Sequence, residues 1–234
     1  MLNIIAMDLE GFARRRVLKG LGEEVILKEL SEALREFKGW EGGRRREFSE
    51  AVLEEVKTAL GAGRVEDPIL RGLLRCPEAG ARMGEFGVGS RGEGDFYVHR
   101  KIAEIIGATG ALVDAGEQDD AGVVAGNGRY ITLAVDGMHS RLSEFPFLAG
   151  FHAARATLRD IYVMGSRPVA MLSDLHLADD GDVGKLFDFT AGVAAVGELT
   201  STPLVSGSTL RIGGDMVLGE RLVAAVGAVG VSDA

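Results

Sequence analysis

The sequence is poor in cysteine, proline and aromatic residues. It has one cysteine, Cys76, five prolines and 6% aromatic residues among 234 positions. A single cysteine excludes an intrachain disulfide framework and a zinc site built on several cysteines. Cys76 lies beside a proline and has no histidine pattern around it, so we interpret it as an inert thiol rather than a nucleophile.

Long apolar runs and an excess of basic charge are also missing. No run reaches the roughly 18 apolar residues of a membrane span, and the N-terminus lacks the layout of a signal peptide. We therefore expect a cytoplasmic protein with no membrane partner. The net charge of −9 offers phosphates no general basic face, so we expect no nucleic-acid partner. We interpret the basic stretch "GGRRREF" at 42–48 as a solvated helix start.

Apolar residues and glycine are, in contrast, abundant. A hydrophobic content of 46% is enough for a buried core. The 34 glycines follow no collagen-like period, which indicates that they serve turns and close backbone approaches.

Residues 1–80 are expected to form a helical N-terminal region. Apolar residues recur there at three- and four-residue spacing, and one stripe contains Ile26, Leu30 and Leu34. The stretch "SEAVLEEVKTALGAG" predicts a further helix with Ser49 as its N-cap. We expect two or three helices with a packing or interaction role, because no reactive side chains are grouped among them.

After residue 80 the sequence pattern changes from helical to largely strand-like, which predicts a second domain over residues 81–234. "AGVVAG" and "RYITLAVDG" are separated by an Asn-Gly turn, which is typical of a hairpin. A helix over 145–165 is expected to stop at Gly165, and a later helix is expected to begin with Asp182 as its N-cap. The resulting order, β-β-α-β-α-β-β, predicts an α+β fold with a mixed or antiparallel sheet and helices on one face.

Carboxylates recur at the ends of the predicted strands and on a helix face. The hairpin places Asp119 and Asp120 at the same end as Asp136, and Asp160 in a mid-helix apolar setting needs a partner. Such a group would repel itself without a cation, and hard oxygen ligands suit Mg²⁺. Adjacent residues of an extended chain face opposite ways, so we expect only one of Asp119 and Asp120 to share a site with Asp136 directly. Asp174 also ends a predicted strand.

A glycine-rich segment, "GVGSRGEG" at 87–94, precedes these strands. Its glycines allow backbone N–H groups to turn toward a phosphate. It has neither the Gly-Lys-Ser/Thr of a P-loop nor the preceding strand of a dinucleotide fingerprint. A phosphate-binding loop and a flexible linker therefore both remain open as interpretations.

Several motifs together resemble one family. "DDAGVV", a strand that ends in "VDGMHS", and a helix that ends in "RDIYVMGSRP" follow the glycine-rich segment in order. This arrangement, over about residues 84 to 230, resembles the PurM-like N-terminal domain of the AIR (aminoimidazole ribonucleotide) synthetase superfamily. The chain looks most like the AIR synthase-related proteins of undefined substrate in archaea. The resemblance implies that residues 81–234 are an AIR synthase-related N-terminal ATP-binding domain, and we expect the family's usual C-terminal domain not to be within these residues.

The resemblance implies ATP and Mg²⁺ as cofactors, a small-molecule substrate, and a homodimer formed through this domain. It implies that the carboxylates hold Mg²⁺ on the nucleotide phosphates and that the glycine-rich segment folds over those phosphates. The implied metal ligands are Asp119, Asp120, Asp136 and Asp160. The implied nucleotide-binding residues are Gly87, Gly89, Ser90, Arg91, Gly92, Gly94, His139, Gly207 and Ser208. Ser208 stands where several relatives carry an aspartate in a glycine-rich turn, so one metal or phosphate contact is expected to be missing.

Three functions are consistent with these residues. The first is phosphoryl transfer from ATP to an unidentified acceptor by a synthetase or kinase-like enzyme. The second is a non-catalytic nucleotide-binding, dimerisation or regulatory module. The third is a metal-dependent hydrolase, which would need a water-activating group. The histidines at 139, 152 and 176 are scattered and do not supply one.

Overall fold

The computed structural model describes residues 6–62, 64–74, 79–87, 89, 92–212 and 217–234. The chain divides into two compact units. The helical unit consists of Met1–Glu78, Leu177–Asp182 and Leu210–Arg221, and the sheet unit of Ala79–His176, Val183–Thr209 and Leu222–Ala234. The sequence-based boundary between residues 80 and 81 stays a prediction. No helix in the described ranges is both long and apolar enough to cross a membrane.

The elements follow in this order along the described chain: β1 (Ala6–Asp8), α1 (Leu9–Leu18), α2 (Glu23–Lys38), α3 (Gly43–Ala62), α4 (Pro68–Leu73), α5 (Met83–Phe86), α6 (Glu93–Ile106), β2 (Gly122–Gly126), β3 (Arg129–Gly137), a 3₁₀ helix (Ser140–Glu144), α7 (Pro146–Val163), β4 (Arg167–Leu177), α8 (Gly184–Thr200), β5 (Leu204–Arg211), β6 (Val217–Gly219) and β7 (Leu222–Asp233).

The helical unit is built on the apolar stripes that the sequence predicts. Ile26, Leu30 and Leu34 of α2 are buried in a core with residues of α1 and α3. Leu218 of β6 is buried in the same core, and β6 pairs antiparallel with β1. Three-residue strands carry too little periodicity to be recognised, so the sequence did not predict this ribbon.

The start of α3 differs from the prediction. Ser49 is not an N-cap, because the helix begins at Gly43 and runs through the basic stretch at 42–48. The Ser49 hydroxyl is buried and donates to the carbonyl of Arg45 at 2.7 Å. An ion pair of 2.7 Å joins Arg46 and Glu50 across one turn and extends the helix toward its N-terminus.

The sheet unit has the predicted β-β-α-β-α-β-β order around one five-stranded mixed sheet. Its strand order is β2-β3-β7-β4-β5, so the last strand lies at the centre. Asn127 and Gly128 both have positive φ angles and form the predicted tight turn between β2 and β3. The long apolar segment after 215 does not form one strand, since residues 220 and 221 separate β6 from β7.

Two helices form a layer on one face of this sheet. The closest approach of α7 and α8 is at glycines: a Cβ on Gly150 would overlap the carbonyl of Phe189, and a Cβ on Gly192 would overlap the carbonyl of Phe147. Gly165 follows α7 with a φ of 74° and ends it as predicted. Asp182 is not the N-cap of α8, because Val183 holds that position and makes no side-chain cap.

Candidate functional site

A cleft of about 580 Å³ lies in the sheet unit between α6 and the β2–β3 hairpin. The polar lining consists mainly of carboxylates, with His99 as its histidine; the apolar lining includes Phe96 and Leu133. Four aspartates line the cleft: Asp95, Asp114, Asp119 and Asp120. A cleft with this much negative charge favours a cation, or an anion that binds as a complex with a cation.

The hairpin register brings three predicted carboxylates to one end of the sheet. Gly122 pairs with Leu133, and the strands run antiparallel. Asp120 therefore precedes β2 at the end where Asp136 closes β3. The Asp119 carboxylate accepts the N–H of Asp120 at 2.9 Å, which gives Asp119 a local role in the turn.

Asp136 and Asp160 approach the same place from the sheet and from α7. The Thr157 hydroxyl of α7 donates to the carbonyl of Val226 at 2.8 Å, and Val226 is the register partner of Asp136. Asp160 lies one turn further along α7 and is 7% exposed. Oδ2 of Asp136 is also shielded from solvent. A helix and a strand thus hold two carboxylates at one edge of the sheet. We call Asp120, Asp136 and Asp160 together the carboxylate edge.

Arg159 supplies positive charge at the carboxylate edge. Its Nε and one terminal nitrogen donate to Oδ1 of Asp160 at 3.0 and 2.8 Å. The pKa of Arg159 is raised above its usual value, first by this hydrogen bond, next by the charge of Asp160, and further by the charges of Asp136 and Asp120. The sequence predicted that Asp160 needs a partner, and Arg159 is that partner.

The carboxylate edge fits a hard divalent cation by the chemistry of its donors. Asp120, Asp136 and Asp160 offer oxygen ligands from three elements. Within the described ranges, however, no three acidic, histidine or cysteine side chains are close enough together to hold a metal ion as they stand. The metal ligands therefore stay predictions. In the structure as it stands, the guanidinium of Arg159 is the positive charge beside these carboxylates.

The glycine-rich segment lies at the start of α6. Gly87 and Gly89 have positive φ angles of 72° and 82°, which glycine adopts without strain. The N–H of Gly89 donates to Oδ1 of Asp95 at 2.9 Å, and Asp95 lines the cleft. Gly92 is the N-cap of α6, and Gly94 is its second residue. Ser90 and Arg91 lie outside the described residues, as does Cys76.

None of the seven described residues that were predicted to bind nucleotide is among the residues that line the cleft, although the glycine-rich segment precedes its α6 wall. His139 caps the 3₁₀ helix and accepts the N–H of Arg141 at 3.3 Å. Gly207 and Ser208 lie within β5, where the family resemblance implied a glycine-rich turn. A Cβ on Gly207 would come within 2.7 Å of the Ser173 hydroxyl, which explains a glycine at that position.

Sequence reasoning missed two polar residues of this region. Asp95 is buried on α6, where its Oδ1 accepts from Gly89 and lies 3.3 Å from Nε2 of His99. Arg159 is the other. A buried mid-helix carboxylate needs a partner, but adjacent residues of a helix do not generally face each other, so the sequence did not single out Arg159.

Comparison with known proteins supports the family resemblance. Residues 118–232 match the family model described as AIR synthase related protein, N-terminal domain. This part of the chain therefore belongs to the AIR synthase superfamily. The match begins at Gln118, so it does not extend over the glycine-rich segment.

Two curated relatives cover different shares of the chain. "Uncharacterized protein MJ1416" of Methanocaldococcus jannaschii is 56% identical over 228 residues, which are 96% of this chain and 50% of that protein. Phosphoribosylformylglycinamidine synthase subunit PurL of Prochlorococcus marinus (strain MIT 9303) is 30% identical over 145 residues, 60% of this chain and 18% of that protein. The chain thus spans half of the first relative's length and less of the second's.

Two solved structures share the fold. The structure of tt0281 from Thermus thermophilus is 26% identical with a TM-score of 0.51, and covers 62% of this chain and 45% of its own. AaThiL complexed with AMPPCP and TMP is 21% identical with a TM-score of 0.50, and covers 67% of this chain and 45% of its own. Both are consistent with the α+β fold predicted from the sequence.

Proposed function

We propose that the sheet unit binds ATP together with Mg²⁺ and takes part in phosphoryl transfer to a small-molecule acceptor. The observation that carries this proposal is the carboxylate edge beside an acidic cleft, in a domain of the AIR synthase superfamily. The fold neighbour AaThiL was solved with AMPPCP and TMP, which is in keeping with a nucleotide as ligand.

Within this proposal, Asp120, Asp136 and Asp160 hold the ion, and the cleft takes the nucleotide. When bound, Mg²⁺ neutralises charge on the phosphate oxygens. The protein contributes position: β3 and α7 fix two of the carboxylates, and Gly89 places its N–H toward the cleft residue Asp95. The apolar ring of Phe96, half exposed on the cleft wall, offers a surface for a nucleoside base.

Calorimetry on the intact protein tests this function. ATP with Mg²⁺ is expected to bind, and ATP with a chelator is expected to bind at least tenfold more weakly. Asp120→Asn and Asp136→Asn should remove the Mg²⁺ dependence. Asp188→Asn is the matched control, because Asp188 is exposed on α8 and does not line the cleft. Clean absence of ATP binding at millimolar ATP and Mg²⁺ would contradict the proposal.

The alternative is a nucleotide-binding module without turnover. Ser208 favours it, since the family resemblance implies an aspartate at this position and serine has no carboxylate to offer. Mg²⁺-dependent ATP binding without release of ADP, across a screen of small phosphoryl acceptors, would support this alternative. Release of ADP that depends on one acceptor would exclude it.

We also propose that the sheet unit pairs with a second copy through the face opposite α7 and α8. Apolar side chains are exposed on that face in neighbouring strands, where a monomer would leave them in water. The set consists of Val124 (36% exposed), Leu133 (47%), Val135 (71%), Leu172 (44%) and Val223 (44%). Because β2, β3, β7 and β4 adjoin in this order, these residues lie on neighbouring strands rather than at scattered positions.

Sedimentation equilibrium tests the homodimer. Val223→Asp should weaken self-association at least tenfold, because a dimer would bury the new carboxylate among apolar side chains, and Val223 does not line the cleft. Phe187→Asp is the control, since Phe187 is 69% exposed on α8, in the layer on the other face. Equal association constants for both variants and the native protein would contradict this interface.

A further inference from the structure

Arg159 occupies an unusual position for an exposed arginine. Its side chain is 57% exposed, yet it directs two N–H groups to one oxygen of an aspartate that is 10% exposed. The carboxylate is the buried member of the pair, so the arginine is free to leave and the aspartate is not. Arg155, one turn earlier on α7, is exposed in the same way and serves as a comparison.

Charge from two other elements reaches the same guanidinium. Asp136 ends β3 and Asp120 precedes β2, and the hairpin register brings both to one end of the sheet. The hydrogen bond from Thr157 to the carbonyl of Val226, the register partner of Asp136, places this strand end beside α7. Arg159 therefore lies close enough to all three carboxylates of the carboxylate edge to feel their charges.

We propose that Arg159 is a resident counter-ion that a divalent cation displaces from Asp160. The inference rests on the proposed function in one respect, because it takes the divalent cation from there. The guanidinium stabilises the carboxylates while the cation is absent, and it competes with the cation for Oδ1 of Asp160.

The competition predicts a specific direction for a charge-removing variant. Arg159→Met keeps the aliphatic stem and removes the charge, so a divalent cation no longer has to displace a guanidinium. The affinity for the cation should rise about tenfold, an estimate for one partly solvated charge at close range. If Arg159 only oriented Asp160, the same variant would bind the cation more weakly.

The test is a titration with Mn²⁺ alone, followed by electron paramagnetic resonance on the intact protein without nucleotide. Arg159→Met is expected to bind Mn²⁺ about tenfold more tightly than the native protein, and Arg159→Lys to differ from it by less than threefold. Arg155→Met is the matched control and should leave the affinity unchanged. Unchanged or weaker binding by Arg159→Met, or no binding by any variant, overturns the proposal.

A second set of variants ties the effect to Asp160. In an Asp160→Asn background, Arg159→Met should bring no gain in Mn²⁺ affinity, because the contested oxygen has lost its charge. A gain that persists in this background would overturn the proposal. Thermal unfolding gives a separate readout: Arg159→Met should unfold earlier without metal and be stabilised more by Mn²⁺ than the native protein.

Failure of this inference and failure of the proposed function give different results. Mg²⁺-dependent ATP binding together with an unchanged Mn²⁺ affinity in Arg159→Met would leave the function and remove the counter-ion role. Tighter Mn²⁺ binding by that variant, without any ATP binding, would leave the counter-ion role and remove the function.

Discussion

The two units of this protein differ in how their main elements place charge and apolar surface. In the helical unit, the apolar stripes of α1, α2 and α3 are buried, although the short α4 exposes Ile69 and Leu73. Charges there pair closely: Lys38 lies between Asp179 and Asp180, and Arg211 also reaches Asp179.

In the sheet unit, apolar side chains are exposed on one sheet face and carboxylates gather at strand ends. Exposed apolar side chains and grouped carboxylates do not stabilise an isolated domain. A second copy would cover the apolar side chains, and a bound cation would compensate the charge of the carboxylates. The sheet unit therefore carries features that a ligand or a partner would stabilise, whereas the buried stripes and ion pairs of the helical unit stabilise its own fold.

The largest expected effect tests the close approach of the two helices in the sheet unit. Gly192→Ala should lower the free energy of unfolding by about 3 kcal/mol, because its Cβ would overlap the carbonyl of Phe147 and push α7 from α8. Gly61→Ala in α3 is the control: no atom lies within 4 Å of its added Cβ. The control should be neutral or stabilising by up to about 1 kcal/mol. Chemical denaturation measures both, and equal values would show that the helices adjust to the added methyl.

The next prediction tests charge pairing in the helical unit. Lys38→Met removes the cation 2.6 Å from Asp180 and 3.2 Å from Asp179, and leaves two largely buried carboxylates side by side. We expect a loss of about 2 kcal/mol, less than for a fully buried pair because Arg211 still neutralises Asp179. Chemical denaturation of the variant and the native protein checks this value.

Two further variants show whether the loss comes from the unpaired carboxylates. Adding Asp180→Asn to Lys38→Met should restore part of the stability. Lys57→Met breaks a more exposed pair with Glu23 and should cost less than about 1 kcal/mol. A cost as small for Lys38→Met would mean that water screens its carboxylates too.

A third prediction is that a variant in the sheet unit changes ligand binding without changing stability, and that a variant in the helical unit does the opposite. Asp120→Asn should change the free energy of unfolding by less than about 0.5 kcal/mol, because Asp120 is exposed. Mg-ATP at one hundred times its Kd would stabilise the native protein by about 2.7 kcal/mol, and a tenfold loss of affinity lowers this by about 1.4 kcal/mol. Thermal unfolding with and without Mg-ATP measures both quantities. Lys38→Met should show the reverse pattern, with lower stability and an unchanged ligand effect.

Most of the sheet unit could be predicted from its sequence because its signals are local. Asn127 and Gly128 define a turn, Gly165 ends a helix, and alternating apolar residues define β3. The β1–β6 ribbon could not be predicted, since three residues show no period and the partners lie far apart in the chain. The start of α3 at Gly43 was missed because a serine within a helix has the same appearance as a cap.

The candidate site could be predicted in its residue types but not in its pairing. The sequence places Asp120, Asp136 and Asp160 at one edge, and the register and helix packing agree with that placement. It did not reveal that Arg159 holds Asp160, because adjacent residues of a helix do not generally face each other. Side-chain conformation at the surface decides this pair, and periodicity carries no information about it.

The smallest effect concerns a carboxylate of the cleft that belongs to the loop rather than to the edge. Asp114 accepts the N–H of Gly116 at 2.8 Å and the hydroxyl of Thr109 at 2.9 Å, and these bonds lower its pKa. A lowered pKa in the folded state stabilises the loop fully above the ordinary aspartate value of about 3.9. The stabilisation is lost as the pH falls from there through the lowered pKa.

Hydrogen exchange and a carboxyl titration by NMR check this last prediction. In the native protein, the Gly116 amide should stay protected at pH 4, and the Asp114 resonance should titrate below the usual range. Asp114→Ala should lower the protection factor of the Gly116 amide at pH values above the lowered pKa and remove the dependence of that factor on the Asp114 titration. Mn²⁺ affinity should change less than threefold, because the Asp114 carboxylate is held by the loop and is not part of the carboxylate edge. A large loss of Mn²⁺ affinity would instead make Asp114 part of the cation site, and the division between loop carboxylates and the carboxylate edge would not hold.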